Sequence, residues 1–245
     1  RSYVEVGSDL ILTCTFGGTR YRLESHGLAG RVVEVNRRAA ELACEIARET
    51  AGDRVFVVGD MGPTGQLLQP LGPLTPPEVA DAYADQATGL VEGGVDLLLI
   101  ETMSDLGEAE AAIAGARRVS NLPIACTFSF DTHGRTMRGL RPEPGAQWIG
   151  PQVEAVGANG GRDPAEYPGI IRAMRQALKQ VSPKTILWAK HTKDFAGYIS
   201  RNDLSRFLFN LLFLPITLKV RGRQSQLRLR NGSVVGQSCR SQTNI

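Results

Sequence analysis

The sequence contains no apolar run approaching the roughly 20 residues that a helix needs to span a bilayer. Its longest apolar stretch, residues 207–218, is short and includes Asn210 and Pro215. Residues 1–9 lack the basic start and apolar core of a secretion signal. These absences predict a protein without membrane spans or a signal peptide, and we expect it in the cytoplasm.

Cysteine is scarce and is not arranged in pairs. The four cysteines are spread along the chain without any C-x-x-C spacing: Cys14, Cys44, Cys126 and Cys239. In a chain of 245 residues without a secretion signal, this usage predicts reduced thiols rather than a disulfide framework. The three histidines are not grouped, and no H-x-x-x-H spacing occurs, which excludes a zincin-type metal site.

Other sequence signatures of chemistry are missing as well. There is no P-loop and no G-x-S-x-G elbow, which disfavours nucleotide hydrolysis and the usual serine hydrolases. No G-x-G-x-x-G follows the first apolar run, which disfavours a dinucleotide-binding fold. The apolar fraction of 42% and charged fraction of 22% are ordinary for a globular protein.

Short apolar runs alternate with helical patterns between residues 9 and 190. These runs are nearly continuous in apolar residues, as in strands buried on both faces of a parallel sheet. The six runs are 9–16, 54–60, 95–101, 123–128, 153–159 and 185–190. This alternation predicts an α/β fold of the TIM-barrel type, with an open doubly wound sheet as the alternative.

The segments between the runs carry helix signals. Residues 31–49 place apolar side chains on one helical face. Thr75-Pro76-Pro77-Glu78 has the pattern of a capping box, and Asp105 can cap the next helix. Residues 163–166 repeat the capping pattern before another apolar stripe.

The pattern ends near residue 190, which divides the chain into two parts. Residues 191–245 hold nine basic and two acidic residues, whereas residues 1–190 are acidic on balance. We expect one short helix over 204–214, and disorder or weak structure from residue 221 onward. The tail has few aromatic residues among its charges, so we do not expect it to bind nucleic acid.

Candidate functional residues follow from the strand ends, because barrels of this type place their chemistry there. They are Thr15, Asp60, Glu101, Ser129, Asp131, Asn159, Gly160 and Lys190. Glu101 follows four apolar residues and needs a cationic or hydrogen-bonding partner, which a substrate ammonium group or a structural salt bridge would supply. Asp60 is interpreted as a ligand contact or as an Asx turn, with the turn favoured.

Six segments together resemble the homocysteine S-methyltransferase family, in particular its cobalamin-dependent branch. They are GSDLILTCTFGGTRYRLESHGL, RVVEVNRRAAELACEIA, GDMGPTGQLLQPLG, DLLLIETMSDLGEAEAAI, CTFSFDTHGRTMRGLRPE and VEAVGANGG, in uninterrupted order within residues 1–190. The resemblance implies a (β/α)8 barrel of which strands two to seven are recognisable. It also implies a zinc ion on three cysteine thiolates, and homocysteine as acceptor of a methyl group from methylcobalamin, betaine or S-methylmethionine.

The same resemblance assigns roles to residues of this chain. Glu101 matches the carboxylate that holds the homocysteine amino group, and Thr15 and Asn159 would line the pocket. Gly160 stands where the family has its first zinc-binding cysteine, and no adjacent cysteine pair follows Lys190. We therefore expect a homocysteine methyltransferase with impaired zinc binding. The alternative is a non-catalytic module that retains the amino-acid pocket, and a cobalamin-carrying domain is the expected partner.

Overall fold

The fold is a curved sheet of six parallel strands with helices packed against it. The structure, a computed structural model, describes residues 1–5, 7–160, 165–190, 217–220 and 223–226. The strands are β1 Leu10–Leu12, β2 Phe56–Met61, β3 Leu97–Met103, β4 Ile124–Phe128, β5 Ala155–Asn159 and β6 Ile186–Lys190. They pair in chain order, so the six predicted strands and the incomplete barrel are confirmed.

The helices follow the strands as expected for this fold. They are α1 Ser2–Glu5, α2 Arg20–Leu23, α3 Val32–Ala51, α4 Pro76–Glu92, α5 Leu106–Val119, α6 Pro142–Ile149 and α7 Tyr167–Val181. Short 3₁₀ turns lie at Glu24–His26, Ala29–Arg31, Gly52–Arg54 and Gly150–Gln152. The short helix α6 lies between β4 and β5 and was not among the helices predicted from periodicity.

Two of the predicted helix starts are confirmed by their hydrogen bonds. At α4, the Thr75 hydroxyl accepts from the Glu78 amide, and the Glu78 carboxylate accepts from the Thr75 amide. At α5, the Asp105 carboxylate accepts from the Glu108 amide at 3.0 Å. At α7, the expected cap residues Asp163 and Pro164 lie outside the described residues.

Each strand presents alternate residues to the two faces of the sheet. The outer face joins the helices in the main core, which includes Leu98, Ile100 and Phe128. The inner face forms a smaller apolar cluster. It comprises Val58, Leu97, Leu99, Ala125 and Ala155, flanked by the half-buried Leu10, Leu12, Phe56, Ile186 and Trp188.

Strands β5 and β6 approach each other closely at Gly157, which has no side chain. A Cβ placed on Gly157 of β5 would lie 1.6 Å from the Trp188 carbonyl oxygen of β6. Glycine is therefore required where these two strands run side by side.

The tail is described only over two short strands. Strands β7 Thr217–Val220 and β8 Arg223–Gln226 pair antiparallel, with Thr217 opposite Gln226. The T-L-K-V segment alternates polar and apolar residues, which is the period of a strand. The disorder or weak structure expected from residue 221 onward stays a prediction. The helix expected over 204–214 lies outside the described residues.

None of the helices in the described segments has the length and apolar character to cross a membrane.

Candidate active site

The polar residues at the strand ends lie on the inner face of the sheet. Side chains two positions apart in a strand point to the same face of the sheet. Asp60, Glu101 and Lys190 therefore share the inner face, because each lies two residues beyond a member of the inner cluster: Val58, Leu99 and Trp188. The parallel register places Asn159 of β5 beside Lys190 of β6. The sheet therefore gathers these side chains at its carboxyl edge, above a floor of apolar residues.

Glu101 and Lys190 form a buried ion pair. The Lys190 Nζ donates to Glu101 Oε2 at 2.7 Å, with side chains only 9% and 4% exposed. This contact is the structural salt bridge that was one of the two interpretations of Glu101. The predicted contact of Glu101 with a substrate amino group stays a prediction, because the pair uses one carboxylate oxygen. Glu101 is also two residues short of the end of β3, which continues to Met103.

Asp60 is a second carboxyl group in the same cluster. Its residue is 3% exposed, and its Oδ1 has no hydrogen-bond partner among the described residues. Burial raises the pKa of Asp60 well above its ordinary value of 3.8. The charge of Glu101 raises the pKa further, Lys190 opposes the shift, and a hydrogen bond with Glu101 favours the protonated acid.

Asp60 does not form the Asx turn that the sequence favoured. Within the described segments, no backbone amide donates to its carboxyl group. Its main chain is instead bound to the loop that follows β1. The Asp60 amide donates to Thr13 Oγ1 at 3.1 Å, and Thr15 Oγ1 donates to the Asp60 carbonyl oxygen at 2.7 Å. The carboxyl group is thereby held facing Glu101.

Thr15 thus acts in the structure through its contact with β2. Its hydroxyl also lies 2.6 Å from the hydroxyl of Thr13, and its carbonyl oxygen accepts from Gln86 Nε2 at 2.8 Å. These bonds bind the loop after β1 to both β2 and α4. The contact of Thr15 with substrate remains a prediction, whereas its role in positioning Asp60 follows from the geometry.

Asn159 braces the backbone immediately after Glu101. Its Oδ1 accepts from the Thr127 hydroxyl at 2.6 Å and from the Thr102 amide at 3.0 Å. Its Nδ2 donates to the Thr102 hydroxyl at 2.7 Å. Thr102 has a φ of +66°, at an irregularity in the pairing of β3 with β4. Asn159 therefore stabilises a strained residue that aims Glu101 into the cluster.

The buried carboxylate of Glu108 holds the turn after β2. This residue was not among the candidate site residues identified from sequence. Glu108 Oε1 accepts from the Thr64 amide at 2.8 Å, the Thr64 hydroxyl at 2.6 Å and the Tyr83 hydroxyl at 3.3 Å. The contact fixes the G-x-x-G turn beside Asp60. Glu108 carried only a helix-start signal in the sequence, so its second role could not be recognised there.

Lys190 was identified as a strand end but was given no function from sequence. Strands β3 and β6 are not neighbours in the sheet. Lys190 reaches Glu101 because the sheet curves inward and brings the Nζ atom across to it. An isolated lysine after an apolar run carries no signal for a partner 89 residues away.

The donor set that the structure describes does not fit a zinc–thiolate centre. No group of three His, Cys, Asp or Glu side chains within the described ranges could hold a metal ion. Gly160 has a φ of +66°, a conformation that favours glycine over cysteine. Cys126 lies in the outer core, where burial raises the pKa of its thiol. Cys239 lies outside the described residues.

Comparisons with known proteins agree on one family. A family profile described as homocysteine S-methyltransferase matches residues 1–206. The chain is also similar to the methionine synthases of Mycobacterium leprae and Mycobacterium tuberculosis. Each is 32% identical over 180 residues, which cover 70% of this chain but 15% of the relative. The chain thus spans a small fraction of these relatives.

Solved structures show similarity in fold. The homocysteine methyltransferase MmuM from Escherichia coli, in its metallated form, superposes with a TM-score of 0.60 at 18% identity. That match covers 78% of this chain and 69% of the other. The oxidized form gives a TM-score of 0.58 at 20% identity, with 78% and 68% covered. At this level of identity, the likeness supports the TIM-barrel architecture alone.

Proposed function

Because the chain belongs to the homocysteine S-methyltransferase family, we propose that it binds homocysteine at the carboxyl edge of β1–β6. The reaction we assign is transfer of a methyl group to the homocysteine thiol, which forms methionine. The methyl donor we propose is methylcobalamin carried by another domain, since the methionine synthases that the chain resembles are far longer than this chain. We propose the cytoplasm as its location.

The observation that carries the proposal is the buried cluster of Asp60, Glu101 and Lys190. Two carboxyl groups share one resident ammonium group, so the cluster has room for one further positive charge. An α-amino group is a compact cation with three donors and suits two converging carboxylates. The surrounding apolar floor lowers the local dielectric, which strengthens the attraction for a bound ammonium.

The chain's own residues then bind and orient the amino acid. Glu101 and Asp60 receive the amino group, Asn159 holds the backbone that carries Glu101, and Thr15 holds the backbone that carries Asp60. A thiol with a pKa near 8.5 is mostly protonated at neutral pH, so methyl transfer also requires thiol activation. In the family, zinc would supply that activation by deprotonating the thiol.

We propose that zinc binding by this chain is weak and that methyl transfer is correspondingly slow. Gly160 replaces a thiolate ligand, and the described donors are used otherwise, since Glu101 pairs with Lys190 and Asn159 with Thr102. These observations favour, as a second candidate, a non-catalytic module that binds the amino acid without transferring a methyl group.

Calorimetry with homocysteine, with and without zinc, separates these functions. Binding that does not change with zinc, together with little methionine formed from methylcobalamin, supports the binding module. Zinc-dependent binding with methionine formation supports the full enzyme. The Asp81→Asn variant, which loses a carboxylate at an exposed ion pair with Arg118, should bind homocysteine as the wild-type chain does. No binding to the wild-type chain under either condition contradicts the proposal.

A further inference from the structure

Three charged side chains converge at the carboxyl edge, and their charges do not balance. Glu101 and Lys190 satisfy one another at 2.7 Å. Asp60 is buried beside them, and no donor in the described structure reaches its Oδ1. An ionised carboxylate left without a donor in such a place is costly, so the empty site favours an acid proton on Asp60.

We propose that Asp60 is the specificity-determining acceptor for the substrate amine, and that it exchanges its own proton for the incoming ammonium group. The inference rests on the proposed function for the identity of the amino acid. The amine enters as its protonated ammonium form, which donates to Asp60 Oδ1. The Asp60 proton leaves to solvent, so two carboxylates face two ammonium groups in the complex. No covalent bond other than the O–H bond of Asp60 is broken.

The surroundings of Asp60 restrict which groups take part in the exchange. From β3 the charged neighbour is Glu101, and from β6 it is Lys190. From the loop after β1, the neighbours are the neutral hydroxyls of Thr13 and Thr15, both engaged with the Asp60 main chain. From α4 the neutral amide of Gln86 reaches the Asp60 carbonyl oxygen at 3.3 Å.

The direction of the pH dependence follows from this arrangement. The raised pKa of Asp60 means that the empty site holds a proton at a pH where a free aspartate would not. A bound ammonium lowers the pKa of Asp60, so affinity for the amine increases as pH increases toward the pKa of the empty site. The slope approaches about tenfold per pH unit, the limit for exchange of one proton.

Calorimetry of the full chain in two buffers of different ionisation enthalpy counts the released protons. The probes are homocysteine and n-butylamine, which carries the ammonium group without the thiol or carboxylate. We expect release approaching one proton per ligand in the wild-type chain and in Asp81→Asn. Asp60→Asn should release none and bind more weakly, with an affinity that does not depend on pH in this range.

Infrared spectroscopy of the ligand-free chain provides an independent readout. A carboxylic-acid C=O band that disappears in Asp60→Asn supports the proton, and its absence from the wild-type chain overturns the exchange. Ligand binding without proton release also overturns it, while the proposed function survives. Butylamine binding with proton release, but without homocysteine binding, supports the exchange and contradicts the proposed function. Binding of neither probe contradicts both.

Discussion

Removal of the Lys190 ammonium group tests how much the buried ion pair with Glu101 contributes to stability. In Lys190→Met, a chain of similar length fills the space, but Glu101 loses its partner at 2.7 Å. The pair is almost fully buried, so the small values typical of exposed salt bridges do not apply. Breaking a buried pair by removing one partner costs about 3–5 kcal/mol. We therefore expect the loss of stability in Lys190→Met to lie in this range, well above the cost of breaking an exposed pair.

The reverse variant is expected to be milder. In Glu101→Gln, Lys190 keeps a carboxyl neighbour, because Asp60 can release its proton once the Glu101 charge is gone. We expect a loss of about 1–3 kcal/mol, the range for one buried group that loses its hydrogen-bond partner. Because Asp60 offers a second carboxyl group, removal of Glu101 should cost less stability than removal of Lys190.

Urea unfolding at pH 7 measures these differences in stability. For an m-value of about 2 kcal/mol/M, the Lys190→Met midpoint should fall by about 1.5–2.5 M at pH 7. Arg118→Met, which breaks the exposed pair with Asp81, is the control and should change stability by at most about 1 kcal/mol. A Lys190→Met loss no larger than that of the control would refute the reasoning.

Three further predictions concern stability and backbone geometry. Because the folded chain raises the pKa of Asp60, its proton stabilises the fold at low pH and that stabilisation is lost as pH rises through the folded pKa. Asp60→Asn should therefore gain stability over the wild-type chain by up to about 1.4 kcal/mol per pH unit above pH ~4, until the pH passes the folded pKa of Asp60. A urea-midpoint difference that is flat with pH contradicts this. Asn159→Ala removes three hydrogen bonds, two to Thr102 and one to Thr127, and we expect a loss of about 1–3 kcal/mol with weaker homocysteine binding in calorimetry; unchanged affinity and midpoint would count against the bracing role. Gly157→Ala places a Cβ 1.6 Å from the Trp188 carbonyl oxygen, so circular dichroism should find it unfolded or strongly destabilised, and a wild-type melting temperature would contradict the strand approach.

The strands and most helices were predictable because their signals are local. Parallel strands buried on both faces are apolar throughout, and the Thr75–Glu78 capping box depends on residues three positions apart. The helix α6 was missed because its eight residues are too few to give a clear period.

The positions of the candidate residues at the carboxyl edge were predictable, whereas their contacts were not. Strand ends located Asp60, Glu101, Asn159 and Lys190, since topology alone brings them to one edge. Which of them pair could not be predicted, because the contact of Glu101 with Lys190 joins strands that are not neighbours in the sheet. The same holds for the bracing of Thr102, which depends on a backbone irregularity without a sequence signature.

The central claim is that the cluster of Asp60, Glu101 and Lys190 recognises the amino group of homocysteine. The most direct test compares the affinity of the wild-type chain for homocysteine and for 4-mercaptobutyrate, which lacks only that amino group. Our account predicts that homocysteine binds about 10- to 100-fold more tightly, as expected for a buried charged hydrogen bond, and that Glu101→Gln reduces this ratio. Equal affinities of the wild-type chain for the two thiols would contradict it.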